Sequence, residues 1–157
     1  MSHVSKIDLE IKDLDTLEAA AKSCDMELVR GQTTMKWFGR FVNDYHGDDA
    51  AYKHGISPGQ YGKCHHVLRI PGNNEAYEVG VLDNGDGTFQ LYYDHWGTSG
   101  KAIIEKIGRA GEKLKQNYVK TKAIQTLQKK GFTLIKEEGL ASGGIKITLR
   151  GQLNLAN

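Results

Sequence analysis

The pattern of apolar and polar residues predicts a β-α-β start. Residues 7–11 alternate isoleucine and leucine with acidic side chains, which is typical of a strand with one buried face. Asp15 and Glu18 form a capping-box pattern, so a short helix is expected from there to about Cys24. Two further strands are predicted, the second on a weaker pattern, at residues 26–29 and 35–42.

The middle of the chain predicts antiparallel strands followed by helices. Strands are expected at residues 65–70, 76–82 and 88–93. The last two flank a turn at residues 83–87, where Asn and Gly accept the positive φ that tight hairpins require. Residues 97–100, which include two glycines, end the strand, and a helical pattern follows that is weakened at Gly108 and Gly111.

The C-terminal part predicts a second helix and a hairpin. The buried stripe of this helix is expected to contain Leu114, Tyr118, Thr121 and Leu127. Gly131 ends the helix, and strands at 132–136 and 145–150 follow. In the last strand the side chains predicted to face the core are those of Ile145, Ile147 and Leu149.

This order predicts an α+β fold, a mostly antiparallel sheet with helices packed on one face. No linker or repeat divides the chain, so residues 1–157 are expected to form a single domain. Residues 44–63 lack periodicity and contain four glycines and a proline, which predicts a long irregular loop. The chain shows no signal-peptide pattern and no apolar run of membrane-spanning length, and its two cysteines form no motif, so we expect a cytoplasmic protein.

Charge is distributed unevenly. The whole chain has 21 basic and 19 acidic residues, but between residues 101 and 130 nine basic residues face only two acidic ones. A lysine-rich helix beside a glycine-rich helix start favours a small anionic ligand or an acidic protein partner. The predicted ligand-binding residues are Lys101, Lys113, Lys115, Lys120 and His95. A solvated helix face is the more ordinary explanation of the lysines, and nucleic acid is a less favoured partner because the sequence pI is only about 8.4.

Histidines and a cysteine are concentrated in one part of the chain, namely His46, His54, Cys64, His65 and His66. Their spacing lacks the paired pattern of structural zinc sites, so we predict no metal and no other cofactor. The alternative is a metal-dependent enzyme that uses Cys64 and His66, which share a face if the strand is extended. No catalytic residues are predicted, because no nucleophile–base arrangement has a recognisable local context.

Several motifs resemble one uncharacterised family, that of the hypothetical chloroplast open reading frame thirty-five. They are YEVG at 77–80, DGTF at 86–89, DHWG at 94–97, KQNY at 115–118, KGFT at 130–133 and IKITLR at 145–150, together with the start MSHVSKI. The segment CHHVLRIPG at 64–72 resembles phage members of that family. The resemblance implies an intracellular setting and a viral origin, and it transfers no established activity.

These observations lead to one functional hypothesis. We expect a non-enzymatic binding protein, phage-encoded, that engages a small anionic ligand such as a nucleotide signal, or a host protein. No membrane association is expected.

Overall fold

A computed structural model of the chain describes residues 4–37 and 62–151. Within these ranges the elements are β1 (Val4–Ile11), α1 (Leu14–Ser23), β2 (Glu27–Arg30), β3 (His66–Arg69), β4 (Val79–Asp83), β5 (Phe89–Asp94), α2 (Gly97–Ile107), α3 (Glu112–Lys129), β6 (Thr133–Gly139) and β7 (Ile145–Arg150). Most of the predicted loop, residues 44–61, lies outside the described residues, and so do residues 38–42 of the predicted third strand.

Five strands form one antiparallel sheet in the order β1-β5-β4-β3-β2. The β-α-β start therefore places its two strands at opposite edges of the sheet. Residues 35–37, where a further strand was predicted, form no strand, and Thr34 makes only an isolated antiparallel bridge with Lys63. The predicted hairpin turn is confirmed, because the Asn84 amide donates to the Thr88 carbonyl at 2.9 Å and Gly85 and Gly87 both have positive φ.

All three helices of the described ranges contribute to a core on one face of this sheet, as the α+β prediction requires. That core joins Ile7 of β1 and Leu91 of β5 to Leu17 of α1, Ile107 of α2 and Leu114 of α3, all fully buried. A smaller apolar cluster covers the opposite face and is formed by Val4, Met35, Trp37, Cys64, Val67 and Tyr92. Together the two clusters bury the sheet on both sides.

Helix α1 begins two residues earlier than the capping-box pattern predicts. Its N-cap is Asp13, whose carboxylate accepts from the Asp15 amide at 2.9 Å and from the Thr16 hydroxyl at 2.6 Å. The residues of the predicted box instead face Arg30, which lies 2.6 Å from Asp15 and 3.5 Å from Glu18. The prediction of Asp15 as the cap was wrong because Asp13, two residues earlier, caps the helix and Arg30 pairs with the Asp15 carboxylate.

The glycine-rich segment after β5 is part of α2 and does not merely precede it, since this helix begins at Gly97. A Cβ at Gly100 would lie 2.3 Å from the His95 carbonyl carbon, so the first helical turn packs directly on the end of the strand. The predicted weak point at Gly108 and Gly111 is confirmed as the break between α2 and α3. Both glycines have positive φ, which other residues rarely adopt.

The C-terminal hairpin is a separate two-stranded sheet made of β6 and β7. Ile145, Ile147 and Leu149 are therefore only half-buried, and the prediction that they face the main core was wrong. The stripe of α3 that was predicted to be buried is likewise only partly buried in the main core. Leu114 and Tyr118 are buried in the main core, whereas Thr121 and Leu127 are half-buried. Helix α3 and the hairpin thus cover each other incompletely.

Candidate binding surface between helix α3 and the hairpin

A groove of about 400 Å³ lies between α3 and β7. Its lining is mostly apolar and includes Val119 of α3 with Ile145 and Ile147 of β7. Val119 is 59% exposed, and the two isoleucines are half-buried. In β7 these two positions alternate with Lys146, so their side chains share the face that is turned toward the helix. The groove is the incompletely covered interior of the helix–hairpin unit.

Two of the predicted ligand-binding lysines, Lys115 and Lys120, line this groove. The Lys120 ammonium lies 2.6 Å from a Glu137 carboxylate oxygen in β6, and its side chain is only 13% exposed. Lys120 therefore already has a counter-charge and joins the hairpin to the helix. Lys115 is half-buried, and no carboxylate of residues 4–37 or 62–151 lies within ion-pair distance of it. In the described groove, Lys115 is thus the cation still available to a ligand.

A second, more polar cavity of about 460 Å³ adjoins the groove, since Gln116 lines both. The Gln116 side-chain amide donates to the Gly143 carbonyl at 2.9 Å and so bridges helix and hairpin between the two spaces. The predicted Lys113 lines this second cavity, where its ammonium donates to the Glu105 carbonyl at 3.2 Å. The other cation of this cavity is Lys106, whose ammonium lies 3.6 Å from an Asp25 carboxylate oxygen.

The charges of this second cavity balance, because two lysines face the carboxylates of Asp25 and Glu105. Its thiol, Cys24, is buried and accepts from the Asn117 amide at 3.5 Å. Burial raises the pKa of that thiol and keeps it protonated. The cavity therefore offers no excess of positive charge and no thiolate nucleophile.

The other two predicted ligand-binding residues, Lys101 and His95, line neither of these cavities. Lys101 is exposed on α2. His95 lies at the junction of β5 and α2, where its Nδ1 is 3.3 Å from the Ser5 hydroxyl oxygen. Its ring packs edge-on against that of Tyr93, with 6.2 Å between the two ring centroids. Next to it, the fully buried Asp94 accepts from the Trp96 amide at 2.9 Å, which orders the start of α2.

Cys64 and His66 do not share a face, contrary to the expectation from an extended strand. Cys64 packs in the smaller cluster with Val67, whereas His66 pairs with Val81, a residue of the main core on the other side of the sheet. The reason is that β3 begins only at His66, so the alternation does not extend back to Cys64. The two side chains therefore point to opposite sides of the sheet.

The local chemistry of these two residues is also that of structural side chains. The Cys64 thiol donates to the Gln32 carbonyl at 3.2 Å, and burial raises its pKa to about 12. His66 Nδ1 accepts from the Gly31 amide at 3.0 Å. Across residues 4–37 and 62–151, no group of three His, Cys, Asp or Glu residues is arranged to hold a metal ion. His46 and His54, which belong to the same cluster in the sequence, lie outside the described residues.

Several groove residues were not identified from the sequence. Gln116 and Val119 lie among the lysines of α3 but fit neither its buried stripe nor its charged face. The sequence pattern therefore assigns these two residues no role. Ile145 and Ile147 were assigned to the main core. The available signal was the short, Gly-rich loop of the hairpin, because an isolated hairpin that follows a helix has that helix as its nearest packing partner.

The comparisons with known proteins place this surface within a family. The family described as "Protein of unknown function (DUF1257)" matches residues 51–148, more than half of the chain. The chain belongs to this family. The match includes the whole of α3 and every groove residue named above, whereas β1, α1 and β2 lie outside it. The searches of curated proteins and of solved structures found no match.

One further finding concerns membranes. Within the described ranges, no helix combines the length with the apolar composition needed to cross a bilayer.

Proposed function

We propose that this member of the DUF1257 family is a non-enzymatic binding protein that engages an anionic partner through α3 and the hairpin. The observation that carries the proposal is the groove between α3 and β7, where partly exposed apolar side chains lie beside a lysine without a carboxylate partner in the described structure. Residues 112–150 contain nine basic and three acidic residues, so the surroundings of the groove are positive as well. Such a field attracts anions and steers them to the surface.

The buried titratable groups support binding over catalysis. Cys24 and Cys64 are buried thiols with raised pKa values, and Asp94 is buried and used to order α2. A nucleophilic cysteine needs a lowered pKa and access to substrate, which neither thiol has. Each of these groups has a structural role in the described part of the chain.

The resemblance of residues 64–72 to phage members of the hypothetical chloroplast open reading frame thirty-five family extends the proposal. We suggest that the protein is phage-encoded and acts in the cytoplasm of its host. Its anionic partner is then a small nucleotide signal or an acidic host protein.

The test is a calorimetric titration with two anionic probes, adenosine triphosphate and a polyglutamate peptide. It compares the wild type with a triple variant of lysines in or beside the groove, Lys115→Ala/Lys122→Ala/Lys146→Ala, at low and high salt. A matched control removes the same charge away from the groove, with Lys101, Lys129 and Lys130 changed to Ala. We expect binding that weakens with salt, because exposed charges are screened over about 8–10 Å, and that weakens in the first variant only.

Two results would contradict the proposed function. The first is that neither anionic probe binds. The second is that binding is insensitive both to salt and to the three substitutions.

A further inference from the structure

We infer that the groove between α3 and β7 binds an acidic, amphipathic segment of a partner protein. This inference rests on the proposed function and names its partner. It follows from three properties of the groove, namely its apolar lining, the state of its polar groups and the charge around it.

The apolar lining is the first property. Val119 leaves more than half of its side chain in water, and Ile145 and Ile147 remain half-buried beneath the same opening. Burying such surface is favourable at about 25 cal/mol per Å². A partner that contributes apolar side chains would therefore complete the core of the helix–hairpin unit.

The polar groups of the groove are the second property, and they disfavour a nucleotide. Lys120 is paired with Glu137 at 2.6 Å, and the Gln116 amide already donates to Gly143. Among the described residues that line the groove none is aromatic, so these residues offer a base no stacking surface. Phosphate groups are usually held by several converging donors, and this groove keeps one cation, Lys115, for that purpose. A single carboxylate beside apolar side chains matches what the groove offers.

The charge around the groove is the third property. On α3 the exposed Lys122 lies two turns from Lys115, and Lys146 follows Ile145 on the hairpin. Among the described carboxylates near these residues, Glu137 is paired with Lys120 and Glu138 with Lys136. A partner segment that carries several carboxylates along one side is therefore complementary to the rim, while its apolar side faces the groove.

The experiment measures binding of a short synthetic peptide in which leucine alternates with glutamate, by fluorescence anisotropy on the full chain. Two control peptides separate the contributions, one with serine in place of leucine and one with lysine in place of glutamate. Two groove variants, Val119→Ser and Lys115→Gln, each have a matched control. Ile135→Ser changes an exposed apolar residue of the same hairpin outside the groove, and Lys129→Gln changes an exposed lysine at the far end of the same helix.

We expect the leucine–glutamate peptide to bind more tightly than both control peptides. Each groove variant should weaken it by about tenfold, the change that a single lost contact of ordinary strength produces. The matched controls should change the affinity by less than about twofold, which is within the scatter of neutral surface substitutions. Circular dichroism of each variant confirms that the helices are retained.

Three outcomes would overturn the inference. The first is that the serine–glutamate peptide or adenosine triphosphate binds as tightly as the leucine–glutamate peptide and that Val119→Ser has no effect. The surface then recognises charge alone, and the proposed function survives without the protein partner. If sedimentation shows a dimer that Val119→Ser dissociates, the occupant of the groove is a second copy of the chain. If no peptide and no anionic probe binds, the inference and the proposed function both fail.

Discussion

The ion pair between Lys120 and Glu137 is expected to hold the hairpin against α3. We predict that removing either partner loosens the hairpin, and that the two removals have unequal effects. The Lys120 side chain is 13% exposed, whereas that of Glu137 is 42% exposed. In Lys120→Met the remaining carboxylate regains water easily. In Glu137→Gln a nearly buried ammonium loses its counter-charge and regains little solvent.

The magnitudes follow from this asymmetry. Exposed pairs contribute about 0.2–1 kcal/mol, and hydrogen bonds to well-shielded charged groups contribute about 1.5–3 kcal/mol. We therefore expect a cost of about 1–2 kcal/mol for Glu137→Gln and less than about 1 kcal/mol for Lys120→Met. The coupling energy from the double variant should be about 1 kcal/mol, which lies between the exposed and the shielded limits.

Native-state hydrogen exchange of the β7 amides is the suitable assay, because it reports the opening of the hairpin itself. The matched control is Glu138→Gln. Glu138 pairs with Lys136 on the opposite side of the same strand, where the lysine is 64% exposed, and its loss should cost at most about 0.5 kcal/mol. Equal effects of Glu137→Gln and Glu138→Gln, or a coupling energy near zero, would refute the reasoning.

Three further predictions concern the rest of the fold. Gly100→Ala should destabilise the protein by more than about 1 kcal/mol although alanine favours helices, because the alanine Cβ would lie 2.3 Å from the His95 backbone. A variant that is as stable as the wild type in urea denaturation would contradict that packing. The Cys64 thiol, whose pKa burial raises to about 12, should react with a thiol reagent at pH 8 only after unfolding, and rapid labelling of the native protein disproves its burial. The hydrogen bond from the Thr16 hydroxyl lowers the pKa of Asp13, so its charge stabilises the fold above the unfolded-state pKa and this contribution disappears as the pH falls through the lower folded value. The stability difference between wild type and Asp13→Asn should therefore shrink in acid, and a difference that grows there contradicts the assignment.

Sequence patterns predicted the parts of the fold that depend on local periodicity. The alternation of residues 7–11, the turn at residues 83–87 and the break at Gly108 and Gly111 all correspond to observed features. Each depends on a few neighbouring residues whose conformational preferences agree. The α+β class follows from the order of these elements, since adjacent hairpins favour antiparallel pairing.

Features that depend on distant residues were predicted less well. The cap of α1 changed from Asp15 to Asp13 because Arg30, far along the chain, pairs with Asp15. Alternation in β7 predicted which side chains share a face, but it carries no information on whether that face meets the main sheet or only a helix. For the same reason the lysines of α3 could be identified, while the groove that Lys115 and Lys120 line could not.

The central claim is that the groove between α3 and β7 is the binding surface of this protein. The most direct measurement is an NMR titration of the isotope-labelled full chain with the leucine–glutamate peptide, which follows every assigned backbone amide. We predict that the largest shifts cluster at residues 115–120 of α3 and 145–147 of β7, and that the amides of His95 and Lys101 stay unchanged. Shifts confined to the start of α2, or an unchanged spectrum at saturating peptide, would contradict the account.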